Sequence, residues 1–182
     1  MMSALLAAVL ATSLPAGSVL SVDPGASLLR YHITHKLHRV HGESMTIEGK
    51  AVVRDTQVVS MVRVPVASFR SGDGNRDAHM QETLEVNKYP FIVWRGVVQL
   101  AAGNSLPAGP MTMEGQLEFH GVARPVSVPL TVEPGADGTV RVRGSLAVDL
   151  DAHHIDRPSL LFVKIDDVCR IELDLVLKVA KS

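Results

Sequence analysis

The strongest constraint on how this chain can fold is an alternation of apolar and polar residues with a period of two, repeated in segment after segment from Leu28 onward. That period belongs to strands with one dry and one wet face, because successive side chains on a strand point to opposite sides. In residues 44–54, Met45, Ile47, Ala51 and Val53 fall on one face, with Thr46, Glu48 and Lys50 between them. Val58, Val62, Val64 and Val66 form the next apolar face, opposite Arg63. Met111, Met113, Leu117 and Phe119 follow, then Val126, Val128, Leu130 and Val132, then Val140, Val142, Leu146, Val148 and Leu150. The last face carries Cys169, Ile171, Leu173, Leu175 and Leu177. With residues 28–34 and 90–100 added, the pattern predicts about eight strands.

Turn signals separate these segments: Asp23-Pro24-Gly25, His41-Gly42, Ala102-Gly103-Asn104, His120-Gly121 and residues 134–138. Connections this short favour antiparallel pairing, since parallel strands need long crossovers. Composition agrees. The 26 valines outnumber every other residue type, and β-branched side chains suit a pleated, half-buried surface. Residues 73–86 break the alternation, with Met80 and Leu84 at helical spacing and Asp73 or Asn75 as a cap, which predicts one short helix. Eight antiparallel strands with one apolar face each must close into a barrel or stack as a two-layer sandwich. An eight-stranded barrel is just wide enough to be filled by its own side chains or to hold one small ligand. Only seven residues are aromatic, so the inward set has limited bulk and an internal cavity is expected.

The length of 182 residues suits one domain. Lys and Arg total 18 against 19 Asp and Glu, which leaves no basic surplus to neutralise phosphates and argues against a nucleic-acid partner. The single Cys169 forms no internal disulfide, and its register with Ile171 and Leu173 marks it as an inward, aliphatic-like residue rather than an activated thiolate. Residues 1–22 carry no charge, and residues 4–14 are a nearly unbroken run of Ala, Leu and Val before Pro15, Ala16, Gly17 and Ser18. This reads as the core and cleavage region of a secretory signal, with the small residues Ala16 and Ser18 suiting a cut before Val19. The division expected is a signal over 1–18 and a barrel domain over 19–182. Another acceptable cut follows Ser13. Thr12, Ser13 and Pro15 interrupt the run too early for an anchor of ~20 apolar residues. A periplasmic or secreted location is therefore expected.

Three stretches carry a family resemblance. SFRSGDGNRDAHMQETLEVNKYPFIVW, at residues 68–94, resembles the central signature of the YceI-like family, in which a strand ending in Ser leads through a loop and an Arg-Asp helix start to a Lys-Tyr-Pro. GQLEFHGVARPVSVPL, at residues 115–130, is similar to that family's His-Gly hairpin. SVDPGASLLRYHITHKLHRVHGES, at residues 21–44, matches the first hairpin more loosely. The likeness covers about residues 21–177. It implies an all-β fold, an eight-stranded antiparallel lipocalin-like barrel with one short helix between strands, usually exported and accepting a polyisoprenoid or similar long-chain lipid. On that reading Met45, Ile47, Val62, Val64, Met80, Leu84, Trp94, Leu117, Phe119, Leu146 and Leu173 would line the interior, with Arg76 near the mouth. Met61, Met111 and Met113 would add adaptable lining, because thioether side chains tolerate ligands of varied shape. The sequence departs from the family in its histidines, His32, His35, His38 and His41, and in residues 149–167, DLDAHHIDRPSLLFVKIDD.

Those histidines are spaced by three, which on a helix would align them. On a strand they alternate faces, so without a turn between them they do not converge on one metal. A turn at Gly42 could bring His38 and His41 toward His153 or His154. His35 and His120 match family positions and are expected to make structural hydrogen bonds. The cluster Arg76, Asp77, His79 and Glu82 either presents a cation to an anionic headgroup or ties down the helix start, and Arg157-Pro158 with Lys164 offers a second basic point. No Gly-x-Ser-x-Gly elbow, phosphate loop or His-Glu-x-x-His helix is present. The reading adopted is an exported, non-catalytic lipid-binding barrel with no cofactor and no catalytic or metal residues assigned. The alternatives are a His-linked metal or haem-associated stress or redox protein and a barrel that binds partners through its surface. Homodimer formation and transient membrane contact stay open.

Overall fold

The computed structural model describes residues 13–35, 38–135, 137–157, 159–160 and 163–179, leaving aside the side chains at 35, 38, 159, 160, 163 and 164. The strands are β1 (Val19–Val22), β2 (Leu28–His35), β3 (His38–Ser44), β4 (Glu48–Arg54), β5 (Gln57–Pro65), β6 (Phe91–Gln99), β7 (Gly109–Phe119), β8 (Val122–Pro134), β9 (Thr139–Asp149), β10 (Ser159–Leu160), β11 (Val163–Lys164) and β12 (Val168–Val179). One helix, α1 (Gly74–Thr83), lies between β5 and β6. Every pairing is antiparallel, and the ladder β1-β4-β5-β6-β7-β8-β9-β12 closes where Leu20 meets Val179 and Val22 meets Leu177. The β1–β12 pairing closes the ring, and β3, beyond β2, is held on its other side among the described residues by the Glu43–Arg70 bridge. β10 and β11 form a separate two-residue hairpin.

Ten strand segments occupy the eight positions that the alternation predicts, because two strands are bent. β1 and β2 pair in turn along one side of β12, and β3 and β4 return alongside them. The first bend is a 3-10 turn over Pro24–Ala26, whose N-cap Asp23 accepts from Gly25 N at 3.1 Å. Ser27 follows it, fully buried, and its Oγ accepts from Val176 N at 2.9 Å where the bend leaves the ladder without a backbone partner. At the second bend the buried Ser44 Oγ accepts from Thr46 N at 3.1 Å and lies 2.7 Å from Ser68 Oγ. Each buried serine thus supplies an acceptor that the distorted backbone cannot.

The inward residues follow the alternation closely on β7, β8, β9 and β12, where Val128, Leu130, Val132, Val140, Val148, Leu175 and Leu177 are buried. Met45 and Met61 are corrections. Met45 falls in the bend between β3 and β4, where the period is interrupted, and is 56% exposed. Met61 is on the outer face of β5, out of phase with Val62 and Val64, and is exposed. The histidine segment also differs, since the chain reverses between β2 and β3. His32 and His41 are therefore direct cross-strand partners, with ring centroids 6.3 Å apart.

The two ends of the barrel are built differently. At one end α1 starts at Asp73, whose carboxylate accepts from Asn75 N and Arg76 N, the first of the two caps that the sequence offered. Asp77 is buried and accepts from Ser71 N at 2.9 Å and Ser71 Oγ at 2.6 Å, so it fastens the loop before the helix. At the far end residues 13–18 run under the barrel. Ser13 bridges Ser105, Leu14 N donates to Asn104 O at 3.0 Å, and Gly17 N donates to Val53 O at 2.9 Å. Residues 1–12 of the expected signal lie outside the described residues.

Candidate functional site

The barrel encloses a cavity of about 180 Å³ whose wall is almost wholly apolar. Leu14 and Leu106 form its floor, Phe69 and Phe119 stand toward α1, and Met111, Met113 and Trp94 lie between. Ser60 is a polar residue on the wall, and its hydroxyl is already committed to Gly96 O at 3.1 Å. Of the residues expected to line an interior site, Val62, Val64, Trp94, Leu117, Phe119, Leu146 and Leu173 do so. Ile47 is buried in the core but does not reach the cavity wall, and Met80 and Leu84 pack against the core from α1. Met45 is on the outside.

Leu14, Leu106 and Phe69 are among the wall residues with no counterpart in the sequence reading. Leu14 precedes the first strand, Leu106 sits in a loop rich in Gly and Pro, and Phe69 follows a 3-10 turn over Val66–Ser68. None belongs to an alternating run, so period carries no signal for them. Phe69 was nonetheless inside the residues 68–94 that carry the resemblance, and its ring meets Tyr31 edge-on at 5.7 Å. Burial, with the nearby Asp77 carboxylate, pushes the Tyr31 hydroxyl up to about 12.

One ionisable group of the core lies near the cavity without lining it. Cys169 is buried, and loss of solvation pushes its thiol up to about 12, so it behaves as the aliphatic-like residue its register predicted. A broader groove of about 850 Å³ crosses the outer faces of β7, β8, β9, β12 and β2. It is open to solvent and its charges are matched to one another or to near neighbours, Arg30 with Glu43 at 3.1 Å and Arg143 with Glu133 at 2.6 Å. The enclosed cavity is the better candidate for an apolar ligand.

Cations near the α1 end are mostly engaged. Arg157 grips both oxygens of Asp151 at 2.7 Å and donates to Ile165 O, Arg124 donates to Ala152 O, and Arg70 donates to Ala67 O and Phe69 O. Arg76 is less constrained, half-exposed and 3.6 Å from Asp73. It pairs within its own helix turn, and its charge also acts on Tyr31 of β2. Pro158 and the side chain of Lys164 lie outside the described residues.

His120 makes the structural contacts expected of it. Its Nδ1 lies 3.2 Å from His153 O and its Nε2 3.0 Å from Glu85 Oε2, which joins the turn between β7 and β8 to the segment after α1. His153 is buried and its Nδ1–H donates to Phe119 O and Val122 O, at 3.2 and 3.1 Å. Burial holds its pKa below the ordinary histidine value. Among the described residues no three His, Cys, Asp or Glu side chains group as metal ligands. His32 Nε2 lies 3.3 Å from Glu172 without hydrogen-bond geometry, and the side chains of His35 and His38 lie outside the described residues.

Residues 20–177 match the family model of the YceI-like domain. A polyisoprenoid binding domain from Saccharophagus degradans implicated in plant cell wall breakdown has a similar structure, with TM-score 0.75 and 17% identity over 88% of this chain and 98% of that one. BcnA of Burkholderia cenocepacia gives a TM-score of 0.72 and 19% identity over 85% and 98% of the two chains. The YceI protein of Campylobacter jejuni gives 0.54 and 14%, over 100% and 91%. At these identities the likeness is one of fold. No curated protein matches.

Proposed function

Because this chain belongs to the YceI-like family, we propose that it is an exported, non-catalytic lipid carrier that holds a polyisoprenoid or similar long apolar chain inside its barrel. The observation that carries this reading is the cavity wall, which is nearly all hydrocarbon and thioether from Leu14 to Phe119 and whose Ser60 hydroxyl is already bonded. Such a wall offers a ligand burial and little else, which suits a molecule that itself has little but apolar surface. The Saccharophagus degradans relative, described as a polyisoprenoid binding domain, supports the ligand class. Cys169 supports the non-catalytic part, since its thiol is held protonated.

Size sets a condition. A cavity near 150 Å³ takes a molecule like benzene, and an isoprene unit is of similar bulk, so 180 Å³ accommodates about one unit. A long chain therefore requires the wall to widen. Met111 and Met113, with several rotatable bonds each, are the side chains suited to that movement. Native mass spectrometry of protein taken from the cell envelope tests the reading. A co-purifying long-chain lipid is the expected result. Protein repeatedly recovered without lipid, or with only a compact molecule of a few carbons, overturns it.

A further inference from the structure

Two cuts satisfy the small-residue rule for signal cleavage, one after Ser18 with Ala16 upstream and one after Ser13 with Ala11 upstream. The fold distinguishes them. Leu14 is 2% exposed and forms the cavity floor with Leu106, while its N–H donates to Asn104 O at 3.0 Å. Gly17 N donates to Val53 O and Val53 N donates to Ser18 O, both at 2.9 Å, so residues 17–18 extend the ladder beside β4. A cut before Val19 removes Leu14, strips both partners from the Val53 backbone and opens the cavity to water beside Leu106. Among the described residues a cut after Ser13 removes the exposed hydrogen bond from Ser13 Oγ to Gly103 O and interrupts the Ser13–Ser105 bridge, but keeps Leu14 and its bond to Asn104 O.

We propose that the exported chain is cut between Ser13 and Leu14, so that Leu14 stays on the mature protein as the floor of the cavity. The proposal rests on the export reading given above. Water is the co-reactant and a signal peptidase the catalyst: the Ser13–Leu14 amide bond breaks, hydroxyl adds to the Ser13 carbonyl carbon, and the proton goes to the Leu14 nitrogen. The new Ser13 carboxyl then gives up its proton and the Leu14 amine takes up one, so the nitrogen becomes an ammonium group, which still donates to Asn104 O. An exported chain is cut before it folds, so the later burial of Leu14 is no obstacle. With Leu14 in place the barrel is blind at this end, and an apolar chain enters from the α1 end and stops against Leu14 and Leu106.

The test expresses the whole chain with its own leader in a bacterial host, then takes the intact mass and N-terminal sequence of the envelope fraction. A mature chain beginning at Leu14 is expected. A start at Val19, or at any residue other than Leu14, overturns the assignment and leaves the export reading standing. An uncut chain retained in the cytoplasm overturns the export reading and this inference with it. Ser13→Leu should abolish the Leu14 start and Ser18→Leu should leave it unchanged; the opposite pattern overturns the assignment. Leu14→Ala gives an independent readout, because the substitution is lost with the leader if the cut precedes Val19. A lowering of Tm by about 5 °C or more in the exported protein is expected, and a product identical in mass and Tm to the unsubstituted protein overturns the proposal.

Discussion

The indole of Trp94 lies in the space that a side chain at Gly115 would need: a Cβ placed on Gly115 falls 2.5 Å from the ring and also against the Arg95 carbonyl oxygen. Gly115 and Gly96 are cross-strand partners, and a Cβ on Gly96 would also fall 2.5 Å from the same ring. The two glycines therefore form a recess in the β6–β7 wall that lets the largest side chain of the cavity lie against the backbone rather than across the lumen.

Trp94 thus sets how much of the lumen is free. Trp94→Ala is expected to destabilise the barrel by about 3–5 kcal/mol and to lengthen the lipid it carries, read as the chain-length profile of extracted ligand. An unchanged profile counts against Trp94 as a limit on length. Gly96→Val, whose Cβ would meet the indole, is expected to drive the ring into the lumen and shorten or abolish the bound chain.

Ser27 makes a prediction about the bend between β1 and β2. Removing its hydroxyl leaves Val176 N without its 2.9 Å acceptor at a buried position. Ser27→Ala should cost about 1–3 kcal/mol, measured by urea denaturation, although it removes only one atom. A loss within error of zero would mean that water replaces the hydroxyl there.

Cys169 is predicted to be inert in the folded protein. With its thiol pushed up to about 12 by burial, almost no thiolate exists near pH 8. Alkylation by iodoacetamide should be negligible in the native state and complete in denaturant. Rapid native labelling would show that the β12 wall opens often.

His153 gives a pH dependence with a definite sign. Burial lowers its folded pKa, assisted by the Arg124 charge and opposed by its bonds to Phe119 O and Val122 O and by Asp149. The unfolded chain takes up a proton near pH 6.5 while the folded chain resists it, so stability is full above that value and falls as pH drops through it. Asp23 and Asp174 are held low, chiefly by Lys178 and Arg141, and lose their contribution only below the normal carboxylate range. Unfolding free energy measured between pH 7.5 and 5.5 should therefore decline, with a shallower decline in His153→Gln. An equal slope in both proteins would remove His153 as the cause.

Local pattern made much of this protein readable in advance. Cys169, Ile171, Leu173, Leu175 and Leu177 had to share a face because strand period is a property of neighbouring residues. The cap at Asp73 was legible for the same reason, since its partners Asn75 and Arg76 are two and three residues away. These local facts, with too few aromatics to fill a barrel, pointed to a strand-built wall with an apolar interior.

Tertiary structure decided what depends on distant parts of the chain. Barrel closure joins Leu20 to Val179 and Val22 to Leu177, pairings with no local signature that nonetheless turn eight one-sided strands into a closed barrel rather than a sandwich. The bend at residues 45–47 put Met45 outside by breaking the period on which its inward assignment depended. The antiparallel pairing of β2 with β3 set His32 against His41, where an unbroken strand would have separated them. Leu14 shows the limit most clearly: as sequence it belongs to an apolar leader, and only its bond to Asn104 and its place beside Leu106 on the cavity wall, both far along the chain, make it part of the floor.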